Sequence, residues 1–169
     1  MGPLFEKIKN YLDIASESFD IPKYITDNLK YSFWDWQKDA LQYFNVFEKN
    51  KRNLIEKIND PTHLMFNMAT GTGKTLLMAA LILYHYKKGC RHFIFFVNQN
   101  NIVDKTENNF INKNHTKYLF RQNVVIDDKL VEIRKVETFD DIYSKPKMDI
   151  RKILIIINKF YSRRIYGRF

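Results

Sequence analysis

Hydrophobic positions fall at two different spacings along this chain, and the change of spacing divides it. Leu4, Phe5, Ile8, Tyr11, Leu12 and Ala15 recur every three to four residues, which predicts an opening amphipathic helix. Asp20-Ile21-Pro22 ends it, because proline lacks an N–H and restricts the residue before it. A second helical pattern begins near Asp35 and runs through Ala40, Leu41, Phe44 and Phe47. The stretch from Lys49 to Lys57 is polar, and Asp60-Pro61 is a breaker.

Beyond Pro61 the pattern becomes short apolar runs between turn residues. His63 to Met68, bounded by Pro61 and Gly71, predicts a buried strand. Leu76 to Tyr84 is apolar almost all round and predicts a helix buried on most faces, with Gly89 suited to its end. Phe93 to Val97 predicts a second buried strand, and Asn101 a cap for a third helix reaching about Ile111. Asn123 to Ile126 and Leu130 to Val136 flank Asp127-Asp128-Lys129 and predict a hairpin; Lys152 to Ile157 predicts a further strand. Strands alternating with helices imply an α/β fold with a parallel sheet flanked by helices. An N-terminal helical segment, residues 1–60, precedes the α/β part, residues 61–169.

Composition narrows the class. The 169 residues suffice for one compact domain, and 45% hydrophobic with 28% charged is an ordinary globular balance. The net charge of +9 is uneven: positions 1–144 hold 20 basic and 18 acidic residues, and positions 145–169 hold 8 and 1. A basic stretch fits a nucleic acid or another anion as partner, and equally a solvated tail. Cys90 is the only cysteine, so no intramolecular disulfide forms, as expected in a reducing cytoplasm. The start lacks a signal-peptide core, and apolar runs such as Ile153 to Ile157 are far too short to span a membrane. His63, His85, His92 and His115 show no metal-ligand spacing.

The chemistry concentrates at Met68 to Thr75, MATGTGKT. Gly71, Thr72, Gly73, Lys74 and Thr75 follow a predicted strand and open a predicted helix, the setting of a phosphate-binding loop. The glycines permit a tight turn whose N–H groups face phosphate oxygens, and the helix N-terminus adds its positive dipole end. Lys74 suits the β- and γ-phosphates of ATP, and the Thr75 hydroxyl suits Mg²⁺. Met68 departs from the general pattern, which places glycine five residues before Gly73.

MATGTGKT resembles motif I of the DEAD/DEAH-box helicases and translocases of superfamily 2. Ile21 to Ile25 and Trp36-Gln37-Lys38-Asp39-Ala40-Leu41 resemble that group's adenine-reading segment, and Phe96 to Val103 resembles its motif Ia. Within the group, the chain is similar to the ATPase (Res) subunit of type III restriction enzymes over about residues 20–140. The resemblance implies an incomplete RecA-like domain. It places Gln37 on the adenine edge, with Phe33, Trp34 or Trp36 stacking on the ring. Thr70, Gly71, Thr72, Gly73, Lys74 and Thr75 would hold the phosphates and Mg²⁺, and Asn98, Gln99 and Asn100 would lie along the DNA backbone. ATP, Mg²⁺, DNA and a modification (methyltransferase) subunit are the implied cofactors and partners. Core packing for the aromatics, and an ordinary turn for Asn98 to Asn101, are the competing readings.

The family's acidic motif II, which orients Mg²⁺ and activates water, has no match. Asp127-Asp128 suits a hairpin turn, Asp140-Asp141 lacks a preceding strand, and Ile153 to Ile157 is followed by Asn158-Lys159. A second RecA-like half is absent too, and Arg163, Arg164 and Arg168 break from the family pattern. The expectation is an ATP-binding N-terminal part of a DNA-dependent restriction ATPase that does not hydrolyse ATP by itself, as a truncated, frameshifted or cloned piece. No catalytic residue is assigned. A non-catalytic nucleotide- or nucleic-acid-binding module is the alternative. A half-domain of this kind would also leave an unpaired sheet edge prone to aggregation.

Overall fold

The computed structural model describes residues 3–15, 19–54, 62–97, 99–137 and 152–159. Their elements are α1 (Leu4–Ala15), α2 (Lys23–Thr26), α3 (Asp35–Leu54), α4 (Lys74–Lys87), β1 (His92–Val97), α5 (Asn100–Phe110), β2 (Val124–Ile126), β3 (Lys129–Lys135) and β4 (Lys152–Lys159). Asn98, Asp140-Asp141, Arg163, Arg164 and Arg168 lie outside the described residues, as do the side chains of Asn158 and Lys159.

The sheet has the order β1-β4-β3-β2. β4 is parallel to β1, with His92 opposite Leu154 and Val97 opposite Lys159, and parallel to β3, with Glu132 opposite Lys152. β2 is antiparallel to β3. The expected α/β class with a mostly parallel sheet is therefore observed. Ile153, Ile155, Ile156 and Ile157 of β4 are all buried, as an unbroken apolar run requires of a strand covered on both faces.

The expected hairpin joins β2 to β3 through Asp127 and Asp128, both left-handed with φ of 53° and 59°. Such a two-residue turn follows the twist of the flanking strands. α4 buries Leu76, Leu77, Ala79, Ala80, Ile82, Leu83 and Tyr86. It closes on Gly89, φ 103°, where the Gly89 N–H donates to Tyr86 O and the Cys90 N–H to His85 O. That pair of bonds satisfies carbonyls the helix end would otherwise orphan.

One core unites α4, the inward residues of β2, β3 and β4, Phe110 of α5 and Tyr118 to Phe120. Ile25, Leu29, Phe33 and Leu41 from the N-terminal part join it. A smaller cluster of Ile8, Val46, Phe47 and Leu54 packs α1 against α3. Each such side chain contributes about 1.5–3 kcal/mol on full burial. α3 continues through the polar stretch to Leu54 because Leu54 has this cluster to enter.

Two expectations are corrected. His63 to Met68 is extended but is not a strand of the sheet; Leu64 and Met65 are exposed, and only Phe66 and Met68 are half-buried. Phe66 packs near Phe44, with ring centroids 6.3 Å apart, but no described strand runs alongside to pair with the segment's backbone. Nor does Asn101 cap α5. Gln99 takes that position with extended φ of −136° and no side-chain bond, and Asn101 falls inside the first turn.

Candidate nucleotide site

The loop entering α4 turns through two left-handed glycines, Gly71 at φ 86° and Gly73 at φ 72°. The Thr72 hydroxyl donates to Ala69 O at 2.7 Å and tightens the turn. Gly73 is the N-cap of the 14-residue α4 and supplies no side-chain cap. The first amides of α4 therefore lack an intrahelical acceptor and carry the helix's positive end. Thr70 and Gly71 are exposed, while Thr72, Gly73, Lys74 and Thr75 are half-buried.

Lys74 folds back over this loop. Its Nζ donates to Met68 O at 3.0 Å and Ala69 O at 2.8 Å. Both acceptors are uncharged, so a phosphate, which offers charged oxygens, is the stronger partner for the ammonium. The donor set of uncapped amides, an ammonium and the Thr75 hydroxyl fits a Mg²⁺-bound polyphosphate.

Gln37 comes to the same place from α3. It is only 1% exposed. Its Nε2 donates to Thr72 O at 3.0 Å and to Gly73 O at 3.3 Å, and its Oε1 accepts the Trp34 N–H at 2.9 Å. The amide orientation is fixed by chemistry, since two carbonyls demand the nitrogen and an N–H demands the oxygen. Trp36 adds a second donor, its Nε1 to Thr72 O at 3.3 Å. Of the three aromatics that could stack on a base, Phe33 is buried in the core. Trp34 and Trp36 are half-exposed with ring centroids 4.9 Å apart.

Gln99 and Asn100 lie exposed at the C-terminal end of β1, where α5 begins. Asp127 pairs with Lys87 in the hairpin turn, and Glu132 pairs with Arg134 at 2.7 Å. Among the described residues no group of three or more His, Cys, Asp or Glu could hold a metal ion. No described helix is long and apolar enough to cross a membrane.

Sequence reasoning missed two contacts. Nothing in the pattern ties Gln37 and Trp36 to the Thr72 carbonyl, although an amide and an indole at adjacent positions just inside a helix start are a weak signal of such a contact. It also missed Asn28, which is 3% exposed. Asn28 Nδ2 donates to Tyr24 O at 2.9 Å and Val125 O at 2.7 Å, and its Oδ1 accepts the Val125 N–H at 2.7 Å.

Comparison with known proteins identifies the family. A family model described as type III restriction enzyme, res subunit, matches residues 30–166. The probable type III restriction-modification enzyme HindVIP Res subunit of Haemophilus influenzae is 54% identical over 126 residues, which is 73% of this chain and 24% of that protein. The chain thus spans about a quarter of that relative's length. No solved structure matches it.

Proposed function

We propose that this chain, which belongs to the Res-subunit family of type III restriction enzymes, is the ATP-binding portion of a DNA-dependent restriction ATPase. The observation that carries the reading is the uncapped N-terminus of α4, entered through Gly71 and Gly73 with Lys74 poised over the loop. Thr70, Gly71, Thr72, Gly73, Lys74 and Thr75 hold the phosphates, and Thr75 ligates Mg²⁺. Gln37 completes the nucleotide site, with Trp34 or Trp36 offering a face to the base. When bound, Mg-ATP supplies the phosphoryl group whose transfer to water drives movement on DNA. The residues named here orient it and neutralise its charge.

DNA passes by Asn98, Gln99 and Asn100, and a modification subunit is the protein partner, in a cytoplasmic setting. This polypeptide alone binds nucleotide and does not turn it over, because the acidic pair at a described strand end, Asp127-Asp128 after β2, is taken up by the hairpin turn with Asp127 held by Lys87, leaving no described pair to activate water. Phosphate release from ATP, measured with and without duplex DNA and with Lys74→Ala as control, tests this. The expected result is binding that Lys74→Ala abolishes, without turnover above that variant. DNA-stimulated turnover lost in Lys74→Ala would show that another carboxylate activates water. Nucleotide binding retained in Lys74→Ala would remove the loop from the site.

A further inference from the structure

Between Glu107 and Asp127 the chain carries Lys113, Lys117 and Arg121 and no carboxylate. The shorter stretch between Asp27 and Asp35 carries Lys30 and likewise no carboxylate. The fold brings the two stretches together. The Lys30 N–H donates to Leu119 O at 2.8 Å, and Lys30 Nζ and the Tyr31 hydroxyl both donate to Thr116 O, at 3.3 Å and 3.0 Å. The Arg121 N–H donates to Asn28 O at 2.9 Å, and Gln122 Nε2 closes the loop on Lys113 O at 3.1 Å. Tyr118, Leu119 and Phe120 are buried and fasten this stretch to the main core.

The loop backbone is thus held, while Lys30, Lys113, Lys117 and Arg121 are all exposed. Lys38, Lys87, Arg134 and Lys135 each have an acidic partner. Among the described residues the four loop cations have none. Lys30, Tyr31 and Arg121 line one cleft of about 570 Å³, in which Asp20 is the one acidic lining residue. Like charges held side by side repel, and a partner carrying several negative charges relieves that repulsion. The side chains between the cations favour a nucleic acid over an acidic polypeptide. Asn114, Thr116, Gln122 and Asn123 are exposed amides and a hydroxyl, the groups that join Lys and Arg in donating to phosphate and sugar oxygens.

We infer that the 113–121 loop, with Lys30 beside it, is a nucleic-acid surface that grips the phosphodiester backbone without reading bases. It is distinct from Gln99 and Asn100. Those residues stand at the start of α5, and the loop follows the far end of that 11-residue helix, about 16 Å along its axis. The surface does not rest on the nucleotide reading, since none of its residues belongs to the loop entering α4.

The test is fluorescence anisotropy of the whole chain with two labelled DNA duplexes of unrelated sequence, over a series of salt concentrations. Wild type is compared with the pair Lys113→Gln and Lys117→Gln combined, with Arg121→Gln, and with Gln99→Ala. A control pair, Lys9→Gln with Lys49→Gln, removes the same charge from exposed positions on α1 and α3. The loop pair is expected to bind both duplexes about tenfold more weakly at about 0.1 M salt, and to lower the slope of log affinity against log salt by about 1–2. Arg121→Gln is expected to lower that slope by about 1, and the control pair to stay within about twofold of wild type. Thermal melts check folding; if the loop pair does not fold, Arg121→Gln decides by the same slope. Affinity and slope unchanged in the loop variants would overturn the inference, above all if Gln99→Ala alone weakens binding. An equal loss in the control pair would make net charge, and not this loop, the cause. A loss confined to one duplex would mean that bases are read. Displacement of bound duplex by polyglutamate as readily as by unlabelled duplex at equal charge would assign the loop to acidic polypeptides. Each of these three results also overturns it.

Discussion

Gly71 and Gly73 both adopt positive φ, but their surroundings differ. Nothing lies within 4 Å of a Cβ placed on Gly71, whereas one on Gly73 meets Gln37 Nε2 at 2.3 Å and Trp34 at 3.8 Å. A left-handed residue with a side chain costs about 1–2 kcal/mol, so Gly71→Ala is expected to lose about that much. Gly73→Ala carries the same backbone cost. It must also expel the Gln37 amide, leaving the Thr72 carbonyl short of a donor, which adds about 1–3 kcal/mol. Urea midpoints of the two variants measure the gap. Equal destabilisation would mean that the Gln37 contact contributes nothing to the fold of the loop. The sequence spacing made both glycines readable as loop residues. What it could not show is that one of them is the floor of a side-chain pocket built by residues 36 positions away.

At the scale of elements, the short strand β2 survives because Asn28 closes its outer edge. The Asn28 side chain takes both the N–H and the C=O of Val125, at 2.7 Å each, and the Arg121 N–H donates to Asn28 O. Asn28→Ala therefore removes two edge bonds and leaves part-buried backbone groups of Val125 without these partners, an expected loss of about 1–3 kcal/mol. Amide hydrogen exchange localises the effect: Val125 protection should collapse while Ile155 in the central strand follows only the global change. Equal loss at both would mean that Asn28 supports the whole core and not the edge. The elements legible in advance were those with a local cause. These include the helix running through Leu76 to Tyr84, the Asp127-Asp128 turn and the apolar run of β4. His63 to Met68 was misread because burial of a strand depends on neighbours that no local pattern reveals. The tight turn through Gly71 and Gly73 could be read from its own residues, while its contacts with Gln37 and Trp36 are tertiary, with no period to betray them.

For the molecule as a whole, part of the exposed apolar surface is gathered in one place. Phe5, Trp36, Leu64 and Met65 are all exposed, Met65 at 89%, and line one groove of about 870 Å³ between α1, α3 and the extended segment before the loop. Ile94 and Phe96, two residues apart on β1 and so on one face of it, are also exposed. Contiguous apolar surface of this kind drives association in water, and an extended segment with no ladder partner among the described residues offers backbone groups to a second molecule. The isolated chain is expected to self-associate with rising concentration, seen as increasing light scattering. Met65→Glu combined with Phe96→Glu should suppress that scattering. Because both side chains are mostly in solvent, the pair should change stability by no more than about 0.5 kcal/mol per site, so the thermal transition stays close to wild type. Suppression without a shift in the transition would assign the association to these surfaces. Scattering unchanged in the double variant would move its origin to the backbone of the 62–69 segment. There, proline at position 67 in place of Asn67 removes a donor and blocks strand addition.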